Sequence, residues 1–174
     1  GYRFGENLFE KIHFIHLFFS AAATSMIYFH YKKNFFAGIL VGISGAILLG
    51  SLSDILFPYI VVSIFRFPAL FHLPLIEAPA LVLVFSFIGS IFGQVVKKNR
   101  FPHSAHVFLS VFASLFYLVN YVVLTGIFSW TIAFLTLVFA VWLPCCLSDL
   151  AFPLLFIRKG LKCVVHGCGI HKHS

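Results

Sequence analysis

HFIHLFFSAAATSMIYFHY, residues 13–31, contains no Asp, Glu, Lys or Arg. A helix crosses the hydrocarbon core of a bilayer in about 20 predominantly apolar residues, so this stretch reads as a transmembrane helix. Four more stretches follow the same reading: Phe35 to about Phe57, Ala78 to Val96, about His103 to Leu124, and about Ser129 to Ile157. The last exceeds a bilayer width and is expected to tilt, or to break near Pro144 or Pro153. The fold expected is an all-α integral membrane protein with five transmembrane helices. No separate signal peptide with a small-residue cleavage site is expected ahead of the first helix.

Composition points the same way. Of 174 residues, 61% are hydrophobic and 10% are charged, against about 25% charged in a soluble domain. That excludes an ordinary water-soluble enzyme, a disordered chain and a nucleic-acid-binding module. The lipid bilayer is the first partner.

Basic residues set the expected orientation through the positive-inside rule. Lys32 and Lys33 follow the first helix, Lys97, Lys98 and Arg100 the third, and Arg158, Lys159 and Lys162 the fifth. The other ends carry only Arg3, Lys11 and Arg66. All clusters fall on one side if the N-terminus is outside and the C-terminus cytoplasmic. Residues 1–162 then form one membrane domain, and 163–174 a cytoplasmic Cys/His-rich basic tail. Gly38-x-x-x-Gly42 and Gly89-x-x-x-Gly93 have the spacing that lets helix backbones approach closely in lipid. Within a compact bundle they serve packing; between copies they could serve a homodimer.

The chain also resembles itself. His13-x-x-His16 with Ser20 recurs as His103-x-x-His106 with Ser110, and Leu52-Ser53-Asp54 with Phe57-Pro58 recurs as Leu147-Ser148-Asp149 with Phe152-Pro153. This reads as a two-helix repeat, about 13–58 and about 103–153, joined by a central helix. One intervening helix makes the second copy enter from the opposite face, giving an inverted repeat of the kind found in secondary transporters.

Ionisable groups within a membrane are costly, and so are functional candidates. The threading expects His13, His16 and Asp54 near the outer face, and His103, His106 and Asp149 near the inner face. Residues i and i+3 share one side of a helix, so each His pair can aim at one centre that the Asp reaches from its partner helix. Two His and one Asp suit Zn²⁺, Fe²⁺ or Mn²⁺. The same groups fit a proton relay, or hydrogen bonding that only caps and ties helices, with Ser-Asp capping a turn and Pro58 ending a helix. A polar seam continues from each pair: Ser20, Thr24 and Tyr31 on one helix, Ser110, Ser114, Tyr117, Asn120 and Tyr121 on the other.

Further candidates surround these. His72 and Glu77, in the apolar link after the second helix, could add ligands or a gate, or could simply face solvent. His30 lies at the inner end of the first helix and could join the inner group. A bis-His haem arrangement is disfavoured, because Asn120 stands where a second His pair would need a member. Cys145 and Cys146 read as small buried apolar groups or soft-metal ligands. Cys163, His166, Cys168, His171 and His173 form a tail that could bind metal, although their spacing fits no standard zinc module.

Three function classes fit. A transporter or channel for a divalent transition-metal ion, proton-coupled or not, would use both faces. A membrane-embedded metal-dependent hydrolase or lipid-modifying enzyme would use one. An accessory subunit of a membrane complex would need neither. The duplication of all six residues favours transport, and no nucleotide loop, serine elbow or Rossmann fingerprint is present.

Overall fold

The computed structural model describes residues 2–96, 101–146 and 151–157, with side chains at 8–96, 104–142 and 151–157. Its helices are α1 (Tyr2–Tyr31), α2 (Phe35–Gly45), α3 (Phe57–Ile64), α4 (Pro74–Glu77), α5 (Pro79–Val95), α6 (Phe101–Tyr121), α7 (Gly126–Cys146) and α8 (Phe152–Leu155). Among the described residues there is no strand, only an isolated antiparallel bridge between Ala69 and Val122. Three helical stretches are long and apolar enough to cross a membrane: Leu8–Tyr31, Phe35–Ile64 and Ser104–Tyr121. Pro79–Val95 and Gly126–Trp142 are shorter apolar helices.

Two boundaries differ from the sequence reading. α1 starts at Tyr2 rather than near His13. Hydropathy stops at Lys11 and Glu10 because they are charged, but both are good helix formers and the backbone runs through them. The second helix is capped by Asn34, whose side chain accepts the Ala37 N–H at 3.1 Å, and it does not end at Pro58. It passes through two π-helical turns, Ala46–Gly50 and Leu52–Leu56, and continues as α3 to Ile64. Pro58 sits in the first turn of α3, directly after the second π-helical turn, and has no N–H to give that turn's carbonyls.

α1 is the central rod, packed against α2, α5 and α6. Ring contacts give the directions. Phe14 meets Phe85 and Phe18 meets Phe92, so α5 runs parallel to α1. Phe9 meets Tyr117 and Tyr121 whereas His16 meets His106, so α6 runs antiparallel to it. The link 65–73 closes over the Phe9 end, where the Leu70 N–H donates to the Tyr121 carbonyl at 2.8 Å. At the opposite end Tyr28, Val41, Leu154 and Ile157 form a separate apolar cluster.

The glycine pairs are spent on this packing. A Cβ on Gly89 would lie 2.1 Å from the Phe18 carbonyl oxygen, and one on Gly93 would lie 2.0 Å from that of Ala22. Gly38 and Gly42 likewise face Gln94, Ser90, Ser25 and Ala21. These faces are therefore interior, not the dimer surface they could have supplied.

Polarity is inverted relative to a soluble protein. Phe36, Leu40, Ile64, Phe108, Ile127, Phe134 and Trp142 are exposed, while His13, His16, Ser20, Thr24, Asp54, Ser90, His106, Ser110 and Ser114 are buried. Lipid accepts the outer apolar surface at no cost, and the inner polar groups tie helices by hydrogen bonds that hydrocarbon cannot offer. Ser25 Oγ, for example, donates to the Ser90 carbonyl at 2.8 Å and joins α1 to α5.

Candidate metal centre

Asp54 lies in the second π-helical turn. Regular α-helical steps would spread Ser53, Asp54 and Ile55 round the axis, yet all three are buried. The wider turn lets consecutive side chains face inward, and Ser53 Oγ reaches back to the Gly50 carbonyl of the first π-helical turn at 3.0 Å. π-turns recur at functional sites for this reason.

Four donors surround the Asp54 carboxylate. Oδ2 accepts from His13 Nδ1 at 2.8 Å and from His16 Nδ1 at 2.5 Å. Oδ1 accepts from Ser53 Oγ at 3.0 Å and from Ser110 Oγ at 3.1 Å. Ser114 Oγ donates to the Ser53 carbonyl at 3.3 Å, so α6 holds the same turn a second time. A carboxylate offers about four lone-pair positions, and Ser53 divides its one proton between Oδ1 and the Gly50 carbonyl. An ionised carboxylate only accepts, and with Asp54 ionised both imidazoles donate from Nδ1. His13, His16 and Asp54 are each 0% exposed, and the triad has no route to solvent charge screening.

Ser110→Ala removes one Oδ1 donor without touching the imidazoles. It is expected to destabilise the protein by about 2 kcal/mol, the usual worth of a hydrogen bond to a charged group. Thermal unfolding followed by tryptophan fluorescence in detergent would measure it.

The triad meets the geometric requirement of a metal site. One ligating atom from each of His13, His16 and Asp54 lies within 4.8 Å of the other two. Ligands sharing a tetrahedral ion with bonds of about 2.0–2.1 Å lie about 3.3 Å apart. The N···O separations here are shorter, so the triad is closed by hydrogen bonds, and an ion taking the place of the shared protons would open it by under about 1 Å. His13 Nε2 is buried and has no hydrogen-bond partner among the described residues.

The division of the histidines into two separate groups needs correction. His13 and His16 do not start a helix: α1 begins at Tyr2, and both rings are fully buried between helices. His106 does not form a separate group at the other face. Its ring packs edge-on against His16 with centroids 4.7 Å apart, so α6 delivers it to the same centre. The antiparallel packing of α1 and α6 causes this by bringing His16 and His106 to the same level.

The remaining candidates separate clearly. The seam Ser20, Thr24, Ser110, Ser114 and Tyr117 is buried, but Tyr31 is 57% exposed and Asn120 turns back to the Phe116 carbonyl of its own helix. His30 is exposed beside Tyr31 and joins no inner cluster among the described residues. His72 pairs with Glu77 at 2.8 Å, and also faces Glu10, which the sequence reading passed over. Glu10 stands one turn before His13 on α1, and that i, i+3 spacing was the available signal. The side chains of His103, Cys145 and Cys146 lie outside the described residues, as do Asp149 and the tail residues Cys163, His166, Cys168, His171 and His173.

No family model, curated protein or solved structure matches this chain.

Proposed function

We propose that this chain carries a divalent transition-metal ion across a membrane, with His13, His16 and Asp54 as its binding centre. The single observation that supports this most is the complete burial of two imidazoles and one carboxylate on apolar helices, gathered at a π-helical turn. A structural tie between helices would be served by serines alone, as Ser25 and Ser90 do. Carriers typically place their ion site inside the bundle, between repeat halves and at irregular helix turns. His16 and His106 are counterparts in the sequence repeat, and their contact lies between the two halves.

The chemistry supplies a coupling. Metal binding requires imidazole nitrogens free of protons, and in the closed triad those nitrogens donate protons to Asp54. An ion and the triad's Nδ1 protons therefore compete for the same positions: an imidazole that starts as imidazolium releases a proton on loading, one that starts neutral moves it to Nε2, and reprotonation ejects the ion. Zn²⁺, Fe²⁺ and Mn²⁺ all suit two nitrogens and one carboxylate oxygen. The buried hydroxyls of Ser20, Thr24, Ser110 and Ser114 continue the polar lining beyond the centre. With the Lys32 end cytoplasmic, the Phe9 end faces outward.

Proteoliposomes enclosing a metal-sensitive dye test the reading. Uptake of at least one of the three ions should exceed that of protein-free vesicles, should respond to an imposed pH gradient, and should fall to background in Asp54→Asn. Absence of uptake for all three ions overturns transport. A metal-dependent hydrolase is the second reading, favoured by the His106 ring beside His16, which places another titratable group where an ion-activated water would need a base.

A further inference from the structure

We propose that Glu10, His72 and Glu77 form a second, solvent-accessible divalent-cation site at the Phe9 end of the bundle. The three come from separate elements: α1, the link after α3, and α4. One ligating atom from each lies within 4.8 Å of the other two.

The two sides of the His72 ring differ in a telling way. Nδ1 lies 2.8 Å from Glu77 Oε1, which is a hydrogen bond. Nε2 lies 3.5 Å from Glu10 Oε1, is buried, and makes no hydrogen bond among the described residues. That separation is too long for a good hydrogen bond, yet close to the roughly 3.3 Å between ligands on a tetrahedral zinc. A carboxylate on Nδ1 with Nε2 turned to the ion is the arrangement that orients metal-bound histidines. His72 Nε2 and Glu10 are thus the ligands, and Glu77 is a positioning residue that fixes the ring.

The ring is held before any ion arrives. It stacks on Tyr121 at 4.8 Å with planes 13° apart, and the edge of Phe9 meets it at 5.8 Å. Glu10 is 35% and Glu77 52% exposed, so water completes the coordination and the ion exchanges freely. Phe9 also stacks on His13 at 5.7 Å, which sets a single phenyl ring between this site and the buried centre. The site stands on its own geometry and does not require that the chain transports anything.

Zn²⁺ titration of the full-length protein in detergent, followed by calorimetry and by metal analysis after desalting, tests the proposal. His13→Gln/His16→Gln should retain a rapidly exchanging ion. Adding Glu10→Gln or His72→Gln to that background should weaken its binding at least tenfold, and Glu77→Gln should weaken it about 10–100-fold, as loss of an orienting carboxylate does. Glu10 and Glu77 are accessible, so their variants should keep the parent's gel-filtration profile and test the site whether or not His72→Gln does. Binding unchanged by Glu10→Gln and Glu77→Gln, or lost with His72→Gln alone, would overturn the site and leave an isolated surface histidine. Loss of the slow ion in His13→Gln/His16→Gln with the fast one kept would bear on the buried centre only.

Discussion

Asp54→Ala is expected to destabilise the protein by about 4 kcal/mol, because truncating one member of a buried ionic network leaves its partners uncompensated. Two imidazole N–H groups and two serine hydroxyls converge on that one carboxylate. Without it, both imidazole N–H groups lose this acceptor, while Ser53 can turn to the Gly50 carbonyl and Ser110 to Ser53. Asp54→Asn keeps the shape and one acceptor oxygen, so it should fold with a smaller loss while abolishing ion binding. Unfolding midpoints in detergent, read by tryptophan fluorescence, separate the two variants. A midpoint for Asp54→Ala within about 0.5 kcal/mol of the parent, the range of surface changes, would mean that the carboxylate is not the hub of the bundle.

Gly89→Leu/Gly93→Leu should prevent α5 from docking on α1 altogether. Even a Cβ at these positions would lie 2.0–2.1 Å from backbone carbonyl oxygens of Phe18 and Ala22. Side-chain neighbours can rotate away, but a helix backbone cannot. Overpacking in a core usually costs about 1–3 kcal/mol and more where the neighbour is rigid, and two rigid contacts one turn apart compound it. Gly93→Ala alone should already lower the unfolding midpoint measurably. Leucine at the exposed positions Val84 or Ile88 of the same helix provides the control. Normal yield and gel-filtration behaviour of the double leucine variant would show that the α1–α5 contact is dispensable.

The apolar runs and the inward polar stripe were legible because both are periodic properties of the chain itself. His13, His16, Ser20 and Thr24 advance by three and four residues, and they do lie buried on one rod. The glycine spacing likewise announced a close contact, and the contact is there. Two features escaped for physical reasons. The height of a residue in the bundle depends on where its helix begins, and hydropathy places that beginning at the charges, whereas helix propensity carries α1 on to Tyr2. That difference places His13 and His16 within α1, buried between helices, rather than at the start of a helix. The meeting of His16 with His106 depends on where two antiparallel helices cross, which no local pattern encodes. Glu10 was missed because its partner His72 is distant in sequence and approaches only when the link folds back over α1.

The most direct measurement is the metal content of detergent-purified protein by mass spectrometry after loading with Zn²⁺, Fe²⁺ or Mn²⁺ and desalting. Glu10→Gln/His72→Gln serves as the background, so that only the interior is read. A binding centre at His13, His16 and Asp54 requires one slowly exchanging ion per chain, reduced to none by His13→Gln/His16→Gln in protein that still elutes as folded. Folded protein that retains no ion under any of the three loadings would contradict the metal centre and leave the triad as a proton-holding network.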